Sequence, residues 1–373
     1  MNGVLRSLRA ALALAAGLAF AAMPEAVASQ RTGVPVVAAP VVATPVVATS
    51  VVAAPFVAPS AWMLSLGTDW LEPRSLALAA AVGVLADRIS AYCEAPDFAG
   101  LEASRDAWRE AARDLRRLSA TPFGPLLENR TLRMLDFWPT RTAQIESSIR
   151  GRAAGTLADA RIGVTAKGLP ALEYLLFEAD DGRTAPAPAR CDYARWLADD
   201  AAGQLAGLNR DWPGWHERLR AADADAETES DLLTDGVNVL IGSIDTLRQK
   251  YLEKPARSRA AQPPFDAWRS GATWTHLRVF VEGLRTALQG DDGRIGLDDV
   301  LRGRGLLVLA DELERRIAAV TQALQTLPVT SRVEPGEALE AVVAAVERLQ
   351  ALLARDIADR LNVSVGFGEN DGD

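Results

Sequence analysis

"LEAVVAAVERLQALLARDIADRL", Leu339 to Leu361, is the stretch whose reading decides the fold. Leu339, Val343, Val346, Leu349, Leu353, Ile357 and Leu361 recur at three- and four-residue spacing. A helix turns once in about 3.6 residues, so these side chains share one stripe while Glu, Arg and Asp take the remaining faces. The same spacing governs the chain from Leu71 onward, Ala, Leu, Arg and Glu dominate, and alternating β-branched runs are absent. The body is therefore predicted to be all-α.

Further helices are expected over Arg74–Tyr92, Phe98–Leu118, Pro122–Leu135 and Leu232–Lys254. The breaks fall at "TPFGP", "DFWPT", "GRTAPAPAR", "LNRDWPGW", "EKPARSRAAQPP" and "QGDDGRIG". An acidic stretch, "AADADAETESD" from Ala221 to Asp231, lies near the midpoint of the body, and a domain boundary is placed within 210–230. The expectation is two packed bundles of four-helix type, residues 70–215 and 216–373. Trp108 and Trp274, each on a helix of its own half, hint that the second repeats the first.

The N-terminus has another character. Arg6 and Arg9 precede an apolar run from Ala10 to Ala22, and Ala26-Val27-Ala28 reads as a small-residue cleavage site, so residues 1–28 have the layout of a secretory signal peptide. Residues 29–69 read as a low-complexity tether, with a Pro-Val-Val-Ala repeat from Val34 to Pro59 in which proline removes donors and fixes φ. No later segment is expected to span a membrane, and the exported chain is expected in the periplasm. Removing residues 1–28 takes two Arg and one Glu from a net charge of −9 and leaves −10. That acidity disfavours nucleic acid and suits a small cationic ligand. Two cysteines, Cys93 and Cys191, in an oxidising compartment point to a disulfide, with two separate buried thiols as the alternative.

Several chemistries have no residues to support them. Of the two histidines, His216 opens "WHERL", but Arg220 stands where a zinc-protease helix needs its second histidine, and His276 reads as a packing residue. There is no Gly-rich phosphate loop, G-x-S-x-G elbow or CxxC pair, and donors for haem are few.

Five separated segments resemble the imelysin-like family of exported helical proteins: "AWREAARDLRRLSATPFGP", "DFWPT", "KGLPALEYLLF", "WRSGATW" and the terminal "LNVSVGFGENDGD". The resemblance implies two helical bundles, a place in the bacterial envelope, and a link to iron uptake or peptide cleavage. Iron or another divalent cation is the implied cofactor, and envelope proteins of an iron-uptake system are the implied partners. The family's central motif is G-x-H-x-x-E, whose His and Glu are its suspected metal ligands. Here it reads Gly168-Leu169-Pro170-Ala171-Leu172-Glu173. Histidine and glutamate three apart share a helical face and can grip one metal ion, whereas proline has no donor atom. Glu173 is left as the candidate ligand, for a metal in company with other oxygens or for a cationic group.

A plainer account of the same residues is local. Pro170 suits the first helical position, and Glu173 then meets the favourable end of the helix dipole. Asp136, Trp138 and Arg141 around "DFWPTR" either line a pocket beside Glu173 or cap and staple helices. Arg269 and Ser270 either face that pocket from the second half or begin a helix. Glu369, Asp371 and Asp373 form an acidic end that reads as a solvated tail. The leading expectation is a non-catalytic binding protein with its pocket between the bundles, and no catalytic residue is assigned. A metallopeptidase and a partner-binding envelope module are the alternatives.

Overall fold

A computed structural model describes residues 54–178, 186–222, 225–259, 264–291, 293–328 and 336–366. The signal peptide, most of the Pro-Val-Val-Ala repeat and the acidic end from Phe367 lie outside the described residues. Among the described residues there is no strand, and the expected all-α class holds.

Helix α1 runs from Pro59 to Glu94, with a π turn at Gly67–Leu71. It starts fifteen residues before the expected Arg74, so residues 59–69 are helix rather than tether. The reason is burial: Pro59 needs no donor at the first position, and Trp62, Met63 and Leu66 give the extra turns a face to bury. By length and composition this helix could cross a membrane, with a mean hydropathy of 1.5 over an 18-residue window, against the expectation that no such segment follows the leader. One side of it, through Leu78, Val82, Leu85 and Ile89, packs against helices α2 (Phe98–Ser119) and α7 (Pro188–Ala222). Asp97 caps α2 by accepting from the Gly100 amide at 2.6 Å.

The expected helix over Pro122–Leu135 is instead two short ones, α3 (Pro125–Glu128) and α4 (Thr131–Leu135). Gly124 and Arg130 both take positive φ, 55° and 53°, which interrupts the helix twice. A Cβ on Gly124 would lie 2.6 Å from the Trp215 ring, so the turn is also a close approach. Helix α5 follows (Thr142–Ala153), then α6 (Gly168–Phe177).

"LNRDWPGW" does not break the chain: α7 continues through Pro213 to Ala222, held by the buried Trp212, Trp215 and His216. Residues 215 and 216, the edges of the two expected bundles, lie within this one helix. Helix α8 (Ala226–Asp245) is capped by Asp225 and continues through a π turn, Thr246–Glu253, to Ala256. Then come α9 (Thr273–Gln289), α10 (Leu297–Gly303), α11 (Leu307–Gln325) and α12 (Glu337–Ala351), the last extended to Arg360 through a third π turn. In α12 the stripe is as read, except that Val342 is buried where Val343 is only partly so, and that Leu361, just past the end of the helix, is partly buried. Helix α9 packs on both α2 and α11, which brings the second half of the chain against the helix that carries Trp108 and Arg116.

Cys93 at the end of α1 and Cys191 at the start of α7 are joined by a disulfide. They stand 98 positions apart in sequence, so the crosslink closes a long loop.

Candidate ligand-binding site

Helix α6 is fixed before it contributes any function. Gly168 has φ 76°, and a Cβ there would lie 2.4 Å from the Leu135 carbonyl oxygen, so only glycine fits this approach. Pro170 stands two residues later, in the first turn rather than at its first position, where amides have no intrahelical acceptor and proline forfeits nothing. Trp108 Nε1 donates to the Leu169 carbonyl at 2.8 Å, and Arg105 Nε donates to the Leu176 carbonyl at 2.8 Å, clamping both ends of α6 to α2.

That clamp sets Glu173 inside, 3% exposed. Across from it, residues 264–272 make a tight turn in which Ala267 and Gly271 hold positive φ of 51° and 76°. The turn aims the Ser270 amide and hydroxyl at Glu173 Oε1, each at 2.9 Å. The hydroxyl has one proton and also lies 3.0 Å from the Ala267 carbonyl, so the amide is the constant donor. Both hydrogen bonds to Glu173 fall on Oε1. Burial pushes the Glu173 carboxyl up to about 7; the Ser270 amide opposes this and nearby Asp266 adds to it.

Beside Glu173 lies a buried charge cluster centred on Arg116. Its guanidinium donates to Asp136 at 2.6 and 2.8 Å, to Asp266 at 2.9 Å and to the Tyr251 hydroxyl. Tyr251 reaches it from the π turn that extends α8. Asp266 Oδ2 lies 2.7 Å from His276 Nδ1, and the His276 ring stacks near Trp108 at 6.2 Å between centroids. Burial raises the Asp266 carboxyl, but Arg116 and His276 outweigh it and hold Asp266 well below the usual carboxylate range. Burial likewise drives the Tyr251 phenol well above its ordinary value.

Glu173, Arg116, Asp136, Asp266 and His276 line a cavity of about 130 Å³, with Tyr251 behind them. Pro170, Glu173, Asp136, Trp138 and Arg269, all singled out in the sequence, line it. Ser270 acts on it through Glu173, and Gly168 lies behind it against Leu135. Arg141 is exposed at the head of α5 and does not line it. Arg269 donates to Glu178 at 2.7 Å and lies over the Trp268 ring. The sequence reading missed Arg116, Tyr251, Asp266 and His276. His276, read as packing, lines the cavity, and its Nε2 has no protein partner among the described residues.

A resident metal finds too few donors here. Among the described residues no group of three or more His, Cys, Asp or Glu side chains is placed to hold one. Asp136 and Asp266 are committed to Arg116, His276 Nδ1 to Asp266 and Glu173 Oε1 to Ser270. Glu173 Oε2 and His276 Nε2 remain, fewer than the three or four ligands of a transition-metal site. The residues do not fit the metal that the G-x-H-x-x-E motif implies.

An all-α chain with a buried carboxylate facing a polar, indole-walled cavity is the class that fold and site define. The Imelysin family model matches residues 75–355, and the chain belongs to the imelysin family. It is similar to iron-regulated protein A of Synechococcus elongatus, 26% identical over 271 residues that cover 69% of this chain and 72% of that protein. The crystal structure of an imelysin-like protein from Psychrobacter arcticum shares the fold, with a TM-score of 0.70 at 19% identity over 85% of this chain and all of that one.

Proposed function

We propose that this is an exported, non-catalytic binding protein of the bacterial envelope whose cavity takes a small cationic ligand, in a role tied to the uptake of iron or another cation. One observation carries the reading: Glu173 is 3% exposed, lines the cavity, and has both its protein hydrogen bonds on a single oxygen. A buried carboxylate with a lone pair facing an internal space is complemented by positive charge. Trp108, Trp138 and Trp268 wall the same space with indoles, the ring type that attracts cations best. The signal-peptide layout of residues 1–28 supports export to the periplasm. The name of the Synechococcus relative supports the link to iron, as a matter of cation handling rather than of a resident metal. On this reading the partners are envelope proteins of an iron-uptake system.

Isothermal titration of the mature chain with ferrous, ferric, zinc and calcium ions and with propylammonium tests it. Binding by at least one cation, lost in Glu173→Gln, is expected. No cation binding tighter than millimolar would sink the reading.

A further inference from the structure

The first aromatic side chain of the described chain, Phe56, is 68% exposed although its backbone is firmly seated. A Cβ added at Gly303 would lie 2.6 Å from the Pro55 carbonyl oxygen and 3.2 Å from the Phe56 Cα. The Arg304 guanidinium lies over the Phe56 ring at 5.1 Å and donates to the Val57 carbonyl at 3.3 Å. Gly303 and Arg304 lead directly into α11, which opens on apolar residues where helix starts are usually polar. Leu306 takes the capping position without a side-chain hydrogen bond, and Leu307 and Val308 in the first turn are 42% and 78% exposed. Three large apolar side chains are thus left open to water within a few residues of the contact between Arg304 and Phe56.

Two features say what covers them. The chain that runs up to this point, residues 34–53, carries no charge, and Pro35, Pro40 and Pro45 each remove a backbone N–H that would need a partner on leaving water. Arg304 is paired with no carboxylate among the described residues, and a guanidinium at the foot of projecting apolar side chains is placed to meet a phosphate while they enter the acyl boundary. The acidity of the chain, net −9, counts against a strongly anionic surface. We infer that Phe56, Leu307 and Val308 form a docking surface for a zwitterionic phospholipid membrane, with Arg304 at the level of the phosphates. The same assignment accounts for the composition of the Pro-Val-Val-Ala repeat, which a spacer in water would not need. It is independent of the cavity and of Glu173.

Co-sedimentation of the mature chain with vesicles of phosphatidylcholine and phosphatidylethanolamine tests it. The chain is expected to sediment with the vesicles, and Phe56→Ser combined with Val308→Asp should lower its partition coefficient at least about ten-fold. Both side chains are exposed, so the urea midpoint of that variant should match the parent. Leu76→Ser combined with Val84→Asp, at exposed apolar positions on α1, is the control and should bind as the parent does. Absence of sedimentation would overturn the inference. Partition unchanged by the substitutions at 56 and 308, or lowered equally by the control pair, would also overturn it, because the lipid contact would then lie elsewhere. A dimer in sedimentation equilibrium that Val308→Asp dissociates, without vesicle binding, would assign the patch to a second copy of the chain instead. The cation titration reads a different surface, so none of these outcomes decides the proposed function.

Discussion

Ser270 gives both its amide and its hydroxyl to one oxygen of Glu173, each at 2.9 Å, across 97 positions of sequence. The pair couples helix α6 to the turn before α9 and leaves a buried carboxyl whose pKa lies near neutrality. Because that pKa is raised from 4.5 to about 7, the folded state binds the proton more tightly than the unfolded chain. Stability is thus greatest below the unfolded value and falls as pH rises from 4.5 to 7, by at most about 3 kcal/mol. Glu173→Gln, which keeps an acceptor for Ser270, should remove that fall. Urea unfolding at pH 5 and pH 8 measures the difference between the two proteins.

Ligand binding should depend on pH in the opposite direction. A cation favours the ionised carboxylate, so affinity should rise as pH increases through about 7 and binding should release a proton. Calorimetry at pH 7 in buffers of different ionisation enthalpy reads the released proton directly. Affinity unchanged from pH 5.5 to 8 would place the ligand away from Glu173.

Arg116 neutralises two carboxylates in a site where all three side chains are nearly inaccessible. Arg116→Met leaves Asp136 and Asp266 buried without their cation and should cost about 3–5 kcal/mol. Adding Asp136→Asn and Asp266→Asn should recover much of that loss, because the unpaired charges are gone. Denaturant midpoints for the single and triple variants test the claim.

Gly168→Ala places a Cβ 2.4 Å from a backbone oxygen at φ 76°. Neither atom can give way cheaply, and a loss of about 2–4 kcal/mol is expected. Gly83→Ala, where nothing lies within 4 Å of the added Cβ, is the matched control and should be neutral or stabilising.

Reducing the Cys93–Cys191 bond frees a loop of 98 positions. In the chain-entropy account this costs about 4–5 kcal/mol. The Cys93→Ser, Cys191→Ser double variant should show a correspondingly lower urea midpoint that no longer responds to dithiothreitol.

The fold was legible where one helical face stays apolar over several turns, as in α12, because periodicity is a local property. It was misread where tertiary burial overrode local signals. Pro213 sits in mid-helix because Trp212, Trp215 and His216 are buried around it. Pro59 begins a helix whose first turns are paid for by Trp62. The motif around Glu173 was visible because glycine, proline and glutamate stand close in sequence. Arg116 was not, since its partners Asp136, Tyr251 and Asp266 lie 20, 135 and 150 positions away and nothing in "DLRRL" distinguishes it from its neighbour Arg117. The two-donor turn at Ser270 was half legible: the residue was named, its recipient was not.

The wide spacing of the Arg116 partners also bears on the order of folding. Helices α2 and α6 can nucleate from near neighbours, and Arg116 can meet Asp136 across 20 positions, whereas completing the cluster has to close loops of 135 and 150 positions. The cavity is therefore expected among the last native features to form, with an indole-lined, uncompensated set of charges exposed until then. A chaperone that shields the unfolded chain would find its target in that interval.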